Sequence, residues 1–239
     1  MSDLRDHVCL VTGAGRGIGR AIAHSLVKAG AHVCLAARTE SELHAVAQEL
    51  PKGASTILPV DLADETRVIR VFEHISKIHG RLDSLINNAG IGFYGTVHGF
   101  KTEHADQMLA VNIRGTFLCC REALKLMIPK KSGYIISISS VLGFKGYANQ
   151  GVYAATKHAV MGLTKTLAVE CQPHNIRVSA VLPGGVDTEM VVASRPDLDR
   201  SVLMSPDDVA DAVLYLLSLS KTNAAVDQIY IRRKLSSPF

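Results

Sequence analysis

Tyr153 and Lys157 stand four residues apart at the start of a helical pattern, so they share one face. Upstream, the run Tyr134-Ile-Ile-Ser-Ile-Ser-Ser140 reads as a strand whose far end delivers Ser139 and Ser140. A free phenol titrates near pH 10, too high for efficient acid–base work at neutral pH. A neighbouring ammonium favours the phenolate and should lower that pKa. Tyr153 is therefore a candidate general acid, Lys157 its charge partner, and Ser140 a hydroxyl that can steady charge developing on a substrate oxygen.

A second set of residues says what such an acid could serve. Thr12-Gly13-Ala14-Gly15-Arg16-Gly17-Ile18-Gly19 follows an apolar run and opens a helix. The pattern Gly-x-Gly-x-x-Gly fails, because residue 18 is Ile. Gly-x-x-x-Gly-x-Gly fits at Gly13, Gly17 and Gly19. Such a loop lets the backbone turn tightly and brings a pyrophosphate to a helix N-terminus. A dinucleotide site with a free ribose 2′-hydroxyl expects an acid at the end of the second strand. Here that strand ends Ala36-Ala37-Arg38-Thr39, with an arginine and no acid. Arg38, with Arg16 in the loop, suits a 2′-phosphate instead, so NADP(H) is expected over NAD(H). Hydride transfer from such a cofactor to a carbonyl leaves an alkoxide that needs a proton, and Lys157 can also hold the nicotinamide ribose.

The elements that position these residues alternate along the chain. Strand-like runs lie at Val8–Val11, His32–Ala36, Thr56–Val60, Ser84–Ile86, Tyr134–Ile138, Arg177–Leu182 and Gln228–Ile231. Near-continuous apolar runs of this kind suit strands buried on both faces of a parallel sheet. Between them, Gly17–Ala29 predicts a helix closed by Gly30. Thr39-Glu40-Ser41-Glu42 predicts a capping box, and Asp64 caps a third helix. Long helices are predicted over about 103–128 and 153–171. Ser205-Pro206-Asp207-Asp208 opens a last one, reaching about Leu219. This is an α/β chain with a doubly wound parallel sheet of seven strands, and residues 1–239 read as one domain. Ligands bind at the C-terminal ends of strands in such sheets, the edge that carries both the Gly loop and Ser140.

Composition narrows the field. Of 239 residues, 47% are hydrophobic and 20% charged, a globular balance. No apolar run reaches the roughly 18 residues of a membrane span, and the N-terminus lacks a secretory pattern. Net charge is only +4, Trp is absent, and no basic stripe suggests nucleic-acid binding. Cys9, Cys34, Cys119, Cys120 and Cys171 are odd in number without Cys-x-x-Cys spacing, which reads as reduced thiols in a cytoplasmic setting. The histidines show no ligand spacing, so no metal is expected.

Taken together, Thr12-Gly13-x-x-x-Gly17-x-Gly19, Asp61, Asn87-Asn88-Ala89-Gly90, Asn112, Ser140, Tyr153-x-x-x-Lys157 and Pro183-Gly184 resemble the short-chain dehydrogenase/reductases. The resemblance covers almost the whole chain and implies a Rossmann fold. It implies that Asn112 joins Ser140, Tyr153 and Lys157 in catalysis by anchoring a water that links Lys157 to solvent. It places Asp61 and Leu62 against the adenine, and Asn88, Ala89 and Gly90 near the adenine ribose. Pro183, Gly184, Val186 and Thr188 would border the nicotinamide, and Gly13, Ile18 and their neighbours the phosphates. An arginine after the second strand, here Arg38, is a common NADP selector in such proteins.

The resemblance also frames the substrate. Contacts are expected from Ile91–Gly95, Val141–Gln150 and the segment after Thr188, including Phe93, Tyr94, Leu142, Phe144, Tyr147, Met190 and Val191. Their apolar character suits a ketone or aldehyde with hydrophobic substituents. Residues 189–204, with Pro196, read as a lid. The expected activity is an NADPH-dependent carbonyl reductase or alcohol dehydrogenase. A 3-oxoacyl-[acyl-carrier-protein] reductase is the alternative: Lys130 and Lys131 could meet an acidic carrier. Against it, His174 stands where a more basic residue is usual, and Val226-Asp-Gln-Ile-Tyr-Ile-Arg-Arg-Lys replaces a Gly-rich tail. A non-catalytic dinucleotide sensor is the other class, and the intact Ser140, Tyr153 and Lys157 weigh against it. A homo-oligomer, dimer or homotetramer, is implied, with Ala154, Ala155, Ala159 and Gly162 as small residues that permit helix packing.

Overall fold

The computed structural model describes residues 3–194 and 199–238. Seven strands form one sheet: β1 (Val8–Thr12), β2 (His32–Ala37), β3 (Ser55–Pro59), β4 (Ser84–Asn87), β5 (Gly133–Ile138), β6 (Ile176–Pro183) and β7 (Gln228–Ile231). Their order is β3-β2-β1-β4-β5-β6-β7 and every pairing is parallel. Strand order therefore reverses between β1 and β4, which opens a crevice above their C-terminal ends.

Successive strand side chains point to opposite faces and feed two cores. Cys9, Val11, Val33, Leu35 and Ile136 pack with α1 (Gly17–Lys28), α2 (Glu40–Glu49) and α8 (Pro206–Ser218). Leu10, Cys34, Leu85 and Ile135 pack with α3 (Glu65–His79), α5 (Thr116–Met127) and α6 (Gly151–Cys171). Strands apolar on both faces thus become the buried middle layer of a Rossmann-like sandwich.

The helix ends follow local chemistry, with one exception. Gly30 has φ +99° just beyond α1, and Gly80 has φ +64° after α3. The Asp64 carboxylate accepts from Arg67 N, and Ser205 with Asp208 forms a complete capping box around Pro206. Thr39 does precede α2, but its side chain makes no cap bond. Glu42, the expected partner in that box, leans toward Arg16 at 3.6 Å. The charge on the neighbouring loop competes successfully for the carboxylate.

The helical stretch predicted at 103–128 is broken in its middle. α4 (Thr102–Met108) runs into a π-helical turn, Leu109–Gly115, before α5 begins. α7 is the short helix Glu189–Ser194, a turn of 3-10 helix covers Arg200–Val202, and residues 195–198 of the expected lid lie outside the described residues. Ala154 is buried among Met108, Val141 and Tyr153 rather than presented outward, whereas Ala155 and Gly162 are exposed.

Candidate active site

A cleft of about 1300 Å³ runs along the C-terminal edge of the sheet. Its walls are the segments that leave the strand ends. Gly13, Arg16, Gly17 and Ile18 come from the loop after β1, and Arg38 from the end of β2. Asp61 and Leu62 follow β3, Asn88, Ala89 and Gly90 follow β4, and Ser140 follows β5. Tyr153 and Lys157 reach in from α6. Pro183, Gly184, Val186 and Thr188 follow β6. Two expected residues stand behind this wall: Gly19 and Asn112.

Gly19 shows why the loop needs glycine. A Cβ built there would lie 2.1 Å from Gly13 O and 2.5 Å from Asn88 Nδ2. The glycine lets the first turn of α1 press against the loop. Gly13 and Gly17 hold φ of +65° and +52°, a region that other residues rarely adopt. Arg16, the N-cap of α1, places no side chain on the helix end. The first amides of α1 are therefore left to meet an anion.

The loop is braced from β4 by residues that the sequence reading gave other roles or passed over. Asn88 Nδ2 donates to Thr12 O at 2.9 Å and Gly13 O at 3.2 Å. Thr12 Oγ1 accepts from Asn88 N and Ala89 N, each at 3.0 Å. Thr12 thus joins the two strand ends at the point where strand order reverses. Thr12 heads the glycine motif in the sequence, where it is given no role of its own.

Asn112 is wholly engaged. Its Oδ1 accepts from Ile91 N at 2.8 Å, and its Nδ2 donates to Ile91 O at 2.9 Å and Thr156 Oγ1 at 3.1 Å. Its carbonyl accepts from Thr116 Oγ1 at 2.8 Å. Asn112 thereby fastens the loop after β4 to α6. A Cβ on Gly90 would lie 3.5 Å from Asn112 Oδ1 and 3.7 Å from Lys157 Nζ, so Gly90 keeps the space between them open.

Tyr153 and Lys157 are both buried, at 8% and 5% exposure. Lys157 Nζ donates to Ile138 O at 3.1 Å and lies 5.7 Å from the centroid of the Tyr153 ring. Burial lowers the Lys157 pKa to about 8. Burial also raises the Tyr153 phenol above its usual value, with the Tyr94 hydroxyl adding to the rise. With the ammonium lying against the ring and a carbonyl, burial dominates the shift of the phenol. At neutral pH the phenol holds its proton and the lysine remains mostly charged. Ser140 Oγ accepts from Leu142 N at 3.2 Å, which leaves its hydroxyl proton free to be donated.

Phe93, Tyr94, Leu142, Tyr147, Met190 and Val191 line the cleft as expected, but Phe144 does not. Its ring packs edge-on against Tyr230 at 4.8 Å, because the C-terminal strand offers it an apolar partner. The cations also differ. Arg16 donates to Glu189 Oε2 at 2.6 Å, whereas Arg38 is exposed and meets no carboxylate among the described residues.

A family model described as short chain dehydrogenase matches residues 7–199. An uncharacterized oxidoreductase of Staphylococcus aureus strain USA300 is 37% identical over 232 residues, covering 97% of this chain and 99% of that protein. Among solved structures, 3-ketoacyl-(acyl-carrier-protein) reductase from Brucella melitensis, complexed with NADH, superposes with a TM-score of 0.89. It is 29% identical, over 96% of this chain and 98% of that one. ElxO with NADP bound gives a TM-score of 0.86 at 31% identity, over 95% and 97% of the two chains. With the parallel sheet, the cleft at its switch point and the buried tyrosine–lysine pair, these likenesses place the chain in the short chain dehydrogenase family, as an oxidoreductase.

Proposed function

We propose that this oxidoreductase is an NADPH-dependent carbonyl reductase, working on a ketone or aldehyde with apolar substituents. The observation that carries the reading is the buried pair Tyr153 and Lys157 at the wall of a cleft that Ser140 also lines. The phenol holds the proton that the reduced substrate oxygen needs.

The residues fit a nicotinamide dinucleotide. The free amides at the start of α1 suit its pyrophosphate, Asp61 and Leu62 its adenine, and the segment Pro183–Thr188 its nicotinamide. When bound, the cofactor supplies the hydride. Tyr153 gives its hydroxyl proton to the substrate oxygen. Ser140 donates a hydrogen bond to the same oxygen and steadies its developing charge. Lys157 holds positive charge beside the phenolate that remains, and its ammonium can return a proton. Asn112 acts through others, fixing the loop after β4 and the start of α6. The apolar side chains Phe93, Leu142 and Met190 exclude water and select the substituents.

Arg38 supports NADP(H), because it offers a cation with no carboxylate partner among the described residues where an acid would favour the free hydroxyl. KM values for NADPH and NADH test this, and an equal or lower value for NADH overturns it. Tyr153→Phe should abolish oxidation of NADPH by a panel of carbonyls while cofactor affinity stays within a few-fold; retained turnover would remove Tyr153 as the acid. A 3-oxoacyl group on a carrier protein is less well supported. Lys130, Lys131 and His174 precede β5 and β6, at the edge of the sheet opposite the cleft, and Lys130 Nζ is bound to Gly80 O.

A further inference from the structure

We infer that His32, Cys34 and His79 form a binding site for a borderline-soft divalent cation of the zinc type. The site lies away from the cleft, where β2 begins and α3 ends. His32 and Cys34 are two apart on β2, so both side chains face α3. His79 closes α3 on that side, and its ring centroid lies 4.5 Å from that of His32. One possible ligand atom from each residue lies within 4.8 Å of the other two.

The donor set suits this class of cation. Imidazole nitrogen and thiolate sulfur are both ligand types that zinc takes, with bonds of about 2.0–2.3 Å. Those lengths set ligand atoms about 3.5 Å apart, so the three need to close by about 1 Å. His79 can make that shift, as the last residue of α3 before Gly80 in a left-handed turn. A second observation points the same way. His79 Nε2 is buried with no hydrogen-bond partner among the described residues, a cost that a metal ion would remove. His32 is already oriented, its Nε2 2.9 Å from Thr56 Oγ1. Cys34 is fully buried, and binding of its sulfur as a thiolate releases the thiol proton to solvent. Spacing in the sequence could not show this site, because its ligands come from a strand and a helix end far apart in the chain.

The test is titration of the reduced, tag-free chain with Co(II) as a spectroscopic probe, followed by Zn(II). One equivalent of Co(II) should give a thiolate-to-cobalt charge-transfer band, Zn(II) should erase it, and the melting temperature should rise with Zn(II) concentration. Cys34→Ser should lose the band. Should that variant fail to fold, His79→Gln at the half-exposed helix end carries the test. Loss of even an outer-shell partner costs metal sites about 10–100-fold, so this variant should bind at least about tenfold more weakly with an unchanged metal-free melt. No band in the native chain, a band that survives Cys34→Ser, or equal affinity in His79→Gln would each overturn the site.

Discussion

Lys157 is a residue at which the proposed chemistry and the stability of the fold pull apart. Its ammonium is buried, and burial lowers its pKa from 10.5 to about 8. At pH 7, below both values, the folded chain carries a charge that the unfolded chain would solvate. That costs about 3 kcal/mol. As pH rises through about 8 the folded state sheds the proton while the unfolded state keeps it to 10.5, so stability recovers over that interval. Lys157→Met should therefore melt higher than the native chain at pH 7, by the equivalent of about 1–3 kcal/mol, with turnover lost. The advantage should shrink at pH 9.5. Paired thermal melts at the two pH values check this; a variant less stable at pH 7, or a gap that widens with pH, would remove burial of the charge as the explanation.

At the scale of elements, the strands were legible because a layer covered on both faces needs apolar runs, and Val8–Val11 or Tyr134–Ile138 has little other use. Ser140, Tyr153 and Lys157 were legible because their chemistry depends on spacing within one element and on strand ends sharing an edge. The π-turn around Asn112 was not, and its side chain ties to Ile91 on another segment. Nor was the failure of the Thr39 box, since Glu42 is drawn to a charge on another segment. Phe144 likewise left the cleft for Tyr230, a partner far along the chain. Glycines separate the two kinds of information well. At Gly19 a Cβ would strike Gly13 O at 2.1 Å, whereas at Gly162, mid-helix and exposed, it would meet nothing within 4 Å. Gly19→Ala should destabilise by about 3 kcal/mol and weaken cofactor binding, because backbone must move. Gly162→Ala should stabilise by about 0.5–1 kcal/mol through helix propensity alone. Urea midpoints measure both, and equal shifts of one sign would show that the loop yields more easily than its contacts suggest.

For the whole molecule, the net charge of +4 matters less than where cations stand relative to the cleft. Lys130 and Lys131 lie at the far edge of the sheet, while Arg16 and Arg38 flank the end of the cleft near β2. These two arginines are not equivalent. Arg16 bridges Glu189, which opens α7 on the other side of the cleft, and Glu42 on α2, so two carboxylates hold it. A 2′-phosphate would compete with both for Arg16, whereas Arg38 meets it unopposed. On the proposed assignment, removing one competitor should favour the phosphorylated cofactor. An exposed ion pair contributes about 0–1 kcal/mol, so Glu189→Gln should tighten NADPH binding by up to about fivefold. NADH, which lacks the phosphate, should bind as before, and the gain should fade as salt screens the exposed charges. Fluorescence titrations with both cofactors at low and high salt measure this. Equal gains for NADPH and NADH would instead assign Glu189 to the opening of the cleft and leave Arg38 as the sole basis for the phosphate preference.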